Sequence, residues 1–199
     1  MIAAYRVEAP NVSITAQHLY EQTLVVRTQL GDEAAFRELL VLHAPRLLAF
    51  TRRMMSGSAD LAEDLMQEIW IAIFRGLPTL LDVTKFRPWA FRIARDRIYR
   101  EFRRRKPPID SMQEVDVEDL AEASDPEPAV EPEELRHCLA ALSPEHREVL
   151  MLRFFEEMDY EEIARVTGRT PGTVRSRIHY AKRALRRAFE EKIYELKTN

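Results

Sequence analysis

Between Asp159 and Leu185 the apolar positions fall into two helical runs parted by a turn, and the polar positions supply the helix ends. Asp159 and Glu162 have the spacing of a capping box, and Gly168 stands where a left-handed cap closes a helix. Thr170 caps a second helix whose first residue is Pro171, where a missing N–H costs nothing. In that helix Val174, Ile178, Ala181 and Leu185 make one buried stripe, while Gly172, Ser176, His179, Tyr180 and Arg183 project the other way. Two helices around a short Gly-containing turn form a helix-turn-helix. The second helix carries Arg175, Arg177, Lys182, Arg183, Arg186 and Arg187 before its first acid, Glu190. Small or hydrogen-bonding residues near its start and cations along its flanks suit a major groove, so the pattern predicts duplex DNA binding.

Upstream, Leu139 to Leu142 precede Ser143 and Pro144, the cap and first-turn residues of a helix with Val149, Leu150, Leu152 and Phe155 as its core. This completes a compact unit of about four helices. Nearer the N-terminus, Thr23–Gly31 and Glu33–Met55 read as helices, Ser56, Gly57 and Ser58 as a break, and Asp60–Gly76 as a third helix. Its stripe of Leu61, Leu65, Ile69 and Ile73 faces inward, against an acidic surface of Asp60, Glu63, Asp64, Gln67 and Glu68. Those acids either stabilise the positive end of the helix or offer a docking surface to a basic protein. After a loop from Leu77 to Lys85, a basic helix starts at Phe86, with Phe91, Ala94, Ile98 and Phe102 on its core face. Its other side holds Trp89, Arg92, Asp96, Arg100 and Arg103. Such a face either holds phosphates and stacks unpaired bases, or is a solvated basic surface with Trp89 half-buried under the loop.

Five glycines among 199 residues and long helical periodicities predict an all-α chain. The net charge of −3 conceals an uneven distribution. From Pro107 to Glu134 there are eleven acids, five prolines and no Lys or Arg, which predicts a flexible linker, either a plain spacer or a mimic of nucleic acid. Without it the chain has 30 basic against 22 acidic residues, so both flanking units are suited to approach DNA. A single cysteine, Cys138, excludes an internal disulfide and fits a reducing compartment. His18, His43, His137, His146 and His179 lack metal-ligand spacing, and no Gly-rich phosphate loop is present, so neither metal nor cofactor is expected and catalysis is disfavoured. The first residues resemble neither a secretory signal nor a membrane span, so a cytoplasmic protein without membrane insertion is expected.

Four pieces in this order resemble the extracytoplasmic-function (ECF) group of bacterial RNA polymerase sigma factors. They are DLAEDLMQEIW at Asp60–Trp70, FRPWAFRIARDRIYREFRRRK at Phe86–Lys106, the acidic linker, and DYEEIARVTGRTPGTVRSRIHYAKRAL from Asp159. The resemblance covers roughly residues 20 to 191. It implies an N-terminal extension (1–19), a polymerase-docking and −10 element domain (20–106), the linker (107–134) and a −35 element domain (135–199). Asp64, Gln67 and Glu68, with Leu65 and Ile69 beneath, match positions that dock on the coiled coil of the polymerase beta-prime subunit. The loop ending at Lys85 and Phe86, with Trp89, Arg92, Asp96, Arg100 and Arg103 on the following helix, matches the reader of the unpaired −10 strand. Arg175, Ser176, His179 and Tyr180, flanked by Thr173 and Arg183, match the −35 contacts. An anti-sigma partner is implied as well.

Two positions depart from the pattern. Asp96 stands where relatives often have asparagine near the flipped −10 base, so a cytosine preference is expected if it does not simply pair with Arg92 or Arg100. Tyr180 stands where some relatives have arginine, so their −35 sequence does not transfer. The competing reading is a freestanding helix-turn-helix regulator, which needs neither the acidic helix nor the basic-aromatic one.

Overall fold

The computed structural model describes residues 12–56, 59–105 and 132–198, and every regular element among them is helical. Helices α1 (Val12–Gln29), α2 (Glu33–Met54), α3 (Ala59–Gly76) and α4 (Phe86–Arg105) form the first unit. The second comprises α5 (Pro132–Ala141), α6 (Pro144–Leu150), α7 (Tyr160–Thr167) and α8 (Pro171–Thr198). α1 starts eleven residues before the Thr23 expected from the pattern, inside the stretch read as an N-terminal extension. Residues 16–20 are exposed and burial begins at Leu24, so its first turns carry no apolar stripe to read. α5 likewise begins inside the acidic stretch; residues 106–131, with the rest of the linker reading, lie outside the described residues.

In the first unit the helix ends explain the path of the chain. Gly31, at φ +91°, turns α1 towards α2, whose cap Asp32 accepts from the Ala34 and Ala35 N–H groups at 2.9 and 3.1 Å. Those donors and Arg27 hold the Asp32 carboxyl below the usual range, the Ala35 N–H contributing most. The core is built from Leu24, Leu39, Leu47, Phe50, Ile69, Ile73, Phe91 and Ile98, all solvent-inaccessible or nearly so. Phe50 meets Phe91 edge to face with centroids 5.3 Å apart. The α3–α4 loop is pinned by Gln29, whose Nε2 donates to the Leu77 and Leu80 carbonyls at 3.0 and 2.8 Å.

The second unit forms as its capping signals predict. The Glu162 N–H donates to Asp159 Oδ1 at 2.7 Å and the Asp159 N–H to Glu162 Oε2 at 3.0 Å. Gly168 closes α7 at φ +69°. Ser143 caps α6, accepting from the His146 N–H at 3.3 Å. α6 passes directly into a wide π turn at Met151–Phe155. Val149, Leu152, Ile163, Val174 and Ala181 make the core between α6, α7 and α8.

The two units pack on each other. Their buried apolar residues form one contiguous core, with α4 against α7 and α2 against α5 and α6. Arg147 of α6 fastens this contact, donating to Met54 O at 2.8 Å and Ser56 Oγ at 2.6 Å at the end of α2. Its other nitrogens donate to Leu139, Ala140 and Leu142 carbonyls of its own unit. A buried cation is thus satisfied by oxygens from both sides, which local patterning does not foretell.

Candidate nucleic-acid and polymerase surfaces

α3 buries Leu65, Ile69 and Ile73 and turns Asp60, Glu63, Asp64, Gln67 and Glu68 to solvent, because these positions lie on opposite faces of one helical period. Glu63 is paired with Arg52 at 2.7 Å, and Glu68 lies 3.8 Å from Arg97. The same face continues into Ile71 and Phe74, which are 51% and 52% exposed. Phe74 rests edge-on against Phe36, centroids 4.9 Å apart, so its ring is held in place. The sequence reading missed these two, although Asp64, Gln67, Ile71 and Phe74 follow steps of three, four and three along one face.

On α4, Arg92, Asp96, Arg100 and Arg103 are all exposed and Trp89 is half-buried, as is Lys85 at the end of the preceding loop. The Trp89 ring lies over Gly76, where an added Cβ would sit 2.9 Å from Trp89 Cζ2. Phe86 differs from expectation: it has no exposed surface and meets His43 edge to face, centroids 5.1 Å apart. It is a core residue here, because the first position of α4 points under the loop. At the loop tip Leu81 is instead 98% exposed, an apolar side chain that the pattern did not single out.

Two further arginines of α4 face the second unit. Arg95 Nε is 2.8 Å from Glu148 Oε1, and Arg87 Nη2 is 3.6 Å from Glu156 Oε2. Both carboxylates are buried, Glu148 completely. None of these four atoms makes an aligned hydrogen bond, so the pairs rest on charge rather than on directed bonds. The Tyr99 hydroxyl donates to Glu148 Oε2 at 3.2 Å. Burial pushes the Glu148 carboxyl up to about 7 against the attraction of Arg95, and burial also raises Glu156.

On α8, Arg175 and Arg183 are exposed and Thr173, Ser176, His179 and Tyr180 half-exposed, all on the side away from Val174, Ile178 and Ala181. Thr173 donates its N–H to the cap oxygen of Thr170 at 3.2 Å, and the His179 and Tyr180 rings stand 5.5 Å apart. Arg175 lies over the Tyr160 ring at 5.5 Å, with Arg153 also over that ring at 5.3 Å. Arg177, counted among the cations for a polyanion, is 8% exposed and lies near Tyr99 and Arg95. It belongs to the contact between units.

A helix-turn-helix with an accessible polar face, an exposed cationic helix and an acidic helix with an apolar end therefore occur on one chain. Residues 39–107 match the family Sigma-70 region 2, and residues 132–185 match Sigma-70, region 4. The ECF RNA polymerase sigma-E factor of Escherichia coli (strain K12) is 32% identical over 182 residues, covering 85% of this chain and 94% of the relative. The chain belongs to the ECF sigma factors of bacterial RNA polymerase. This sigma factor is also 33% identical over 167 residues to RNA polymerase sigma factor CarQ of Myxococcus xanthus, covering 81% and 92% of the two chains. Among solved structures, CnrH in complex with the cytosolic domain of CnrY has the same fold, at TM-score 0.65 and 22% identity over 86% of this sigma factor and 98% of that chain. The sigma factor RpoE in complex with the anti-sigma factor NepR from Bartonella quintana matches at TM-score 0.62 and 26% identity, over 78% and 96%. Among the described residues no helix of this sigma factor is long and apolar enough to cross a membrane.

Proposed function

We propose that this ECF sigma factor docks on the beta-prime coiled coil of core RNA polymerase through Asp64, Gln67 and Glu68 seated on Leu65 and Ile69. Ile71 and Phe74 extend that surface with an apolar contact, since an acidic rim beside exposed large side chains suits a basic amphipathic partner. Arg92, Arg100 and Arg103, with the Leu80–Phe86 loop, hold the unpaired −10 strand. Thr173, Arg175, Ser176, His179, Tyr180 and Arg183 read the −35 duplex. The polymerase supplies the phosphoryl-transfer chemistry, so this chain needs no catalytic group of its own, and its place of work is the cytoplasm. The observation that carries the reading is likeness to a sigma-E factor over 94% of that relative, spanning both units, which a freestanding regulator does not explain. An anti-sigma factor is its second partner, in keeping with the NepR-bound neighbour.

The test is gel filtration with bacterial core RNA polymerase, comparing wild type with Asp64→Arg/Glu68→Arg. Wild type co-elutes and the reversed-charge variant does not. Failure of both, with wild type binding duplex DNA alone, favours the freestanding regulator.

A further inference from the structure

The loop between α3 and α4 carries little core of its own. Within residues 77–85 only Leu77 is buried, and Leu81, Asp82 and Thr84 face solvent. Its internal bonds shape two short 3₁₀ turns, Leu77–Thr79 and Val83–Lys85. The Leu80 N–H donates to Leu77 O at 3.0 Å, and Asp82 Oδ1 accepts from the Thr84 N–H and hydroxyl at 3.0 and 2.6 Å. Bonds between near neighbours set the form of each turn but not its place on the molecule.

Gln29, the last residue of α1, sets that place. Its Nε2 donates to the Leu77 carbonyl at 3.0 Å and to the Leu80 carbonyl at 2.8 Å, so both N–H groups of one amide grip the first turn at its two ends. The neighbouring Thr28 hydroxyl is engaged elsewhere, donating to Leu24 O of its own helix at 2.8 Å. α1 packs against the second turn as well. At the far end of the loop Phe86 is fully buried and meets His43 of α2. The stretch from Leu81 to Lys85 is thus anchored on both sides, and Leu81, its most exposed side chain, directly follows a carbonyl held by Gln29. A recognition loop fixed in advance loses less freedom when its ligand arrives, and it admits fewer wrong fits than a loose one.

We propose that Gln29 is a positioning residue for −10 recognition: by holding the Leu77 and Leu80 carbonyls it presents residues 81–85 to the unpaired strand in one arrangement, and so sets how sharply the loop discriminates between bases. This rests on the −10 reading of the loop. It brings in a residue of α1, which contributes no contact to the DNA surfaces described above. Gln29 acts through the backbone of Leu80 and not by reaching a base itself.

The experiment loads core RNA polymerase with wild type, Gln29→Glu, Gln29→Ala or Gln29→Lys. It measures binding to fluorescent forked promoter fragments that carry each of the four bases in turn at the unpaired −10 positions. Gln29→Glu keeps the shape of the side chain but turns a carboxylate on two carbonyls, and Gln29→Ala removes the donor without adding charge. Both lose about tenfold in the ratio of affinities for the best and worst base, within what one base-reading contact supplies. Gln29→Lys, which restores N–H donors at similar reach, recovers most of that ratio. A residue that only stabilises the fold lowers the urea midpoint and weakens all fragments alike, so an unchanged ratio in Gln29→Glu and Gln29→Ala overturns the proposal. In the free protein, Gln29→Ala speeds hydrogen exchange at the Leu80 and Lys85 amides; wild-type protection there overturns it as well. Wild type that joins the polymerase yet shows no base preference at −10 sinks the −10 reading of the loop instead, and the role of Gln29 with it.

Discussion

Asp96 places a carboxylate on the exposed cationic face of α4, with its side chain 61% exposed and its nearest cation, Arg95, 3.6 Å away and already engaged by Glu148. The i,i+4 partners expected from the sequence, Arg92 and Arg100, give way to this adjacent one. A carboxylate accepts from cytosine N4 but offers no donor, whereas an amide does both. We therefore expect Asp96→Asn to relax a cytosine preference at one −10 position in a promoter library, with about 1 kcal/mol or more of discrimination lost. An identical base profile would leave Asp96 as a charge that only tempers its arginine neighbours. Gly168 gives a separate prediction. It sits at φ +69° with no atom within 4 Å of an added Cβ, so Gly168→Ala carries only backbone strain. That strain costs about 1 kcal/mol, to be read as a lowered urea midpoint with an unchanged m-value.

At the scale of the element, capping chemistry was the most legible part of this chain. Asp159, Glu162, Gly168, Thr170 and Pro171 act locally, within one helical turn, so their spacing alone places the helix-turn-helix. The acidic face of α3 was legible for the same reason: one helical period separates it from Leu65 and Ile69. Phe86 was not, because a single aromatic at a helix start gives no period, and its burial is decided by His43 on α2. Ile71 and Phe74 were hidden for the converse reason, since apolar residues in a helix read as core unless the packing of the other face is known. Their exposure leads to an expectation for the docking element. Phe74→Ala removes a ring held by Phe36 and weakens core-polymerase binding by about 2 kcal/mol, as truncation of an aromatic anchor does. Far-UV circular dichroism of the free protein stays unchanged, because the α3 core face is untouched. Wild-type affinity in a fluorescence titration with core polymerase would restrict docking to the acidic residues.

The closure of the whole molecule was illegible in the sequence because its participants are far apart in the chain and look like surface residues. Arg95 and Glu148 are separated by the linker, and each belongs to a charged run that periodicity assigns to solvent. Only the packing of α4 on the second unit turns them into a buried pair. That burial has a pH consequence. Glu148 has its carboxyl pushed up from 4.5 to about 7, chiefly by burial, with Arg95 opposing. A carboxyl that holds its proton more tightly in the folded chain makes the folded state the better proton binder between those two values. Stability from this group therefore falls as pH rises from about 5 to about 7 and is level above that. Glu156, also raised, acts in the same sense, while His146, lowered by burial, acts oppositely. Comparing wild type with Glu148→Gln cancels those shared contributions. The urea midpoint of wild type should drop relative to that of Glu148→Gln across this window; parallel curves would mean that Glu148 ionises normally and that Arg95 fully offsets its burial. A relative drop would mean that burial of the Glu148 charge outweighs its attraction to Arg95, so that the contact between units is weakest once the carboxyl is ionised.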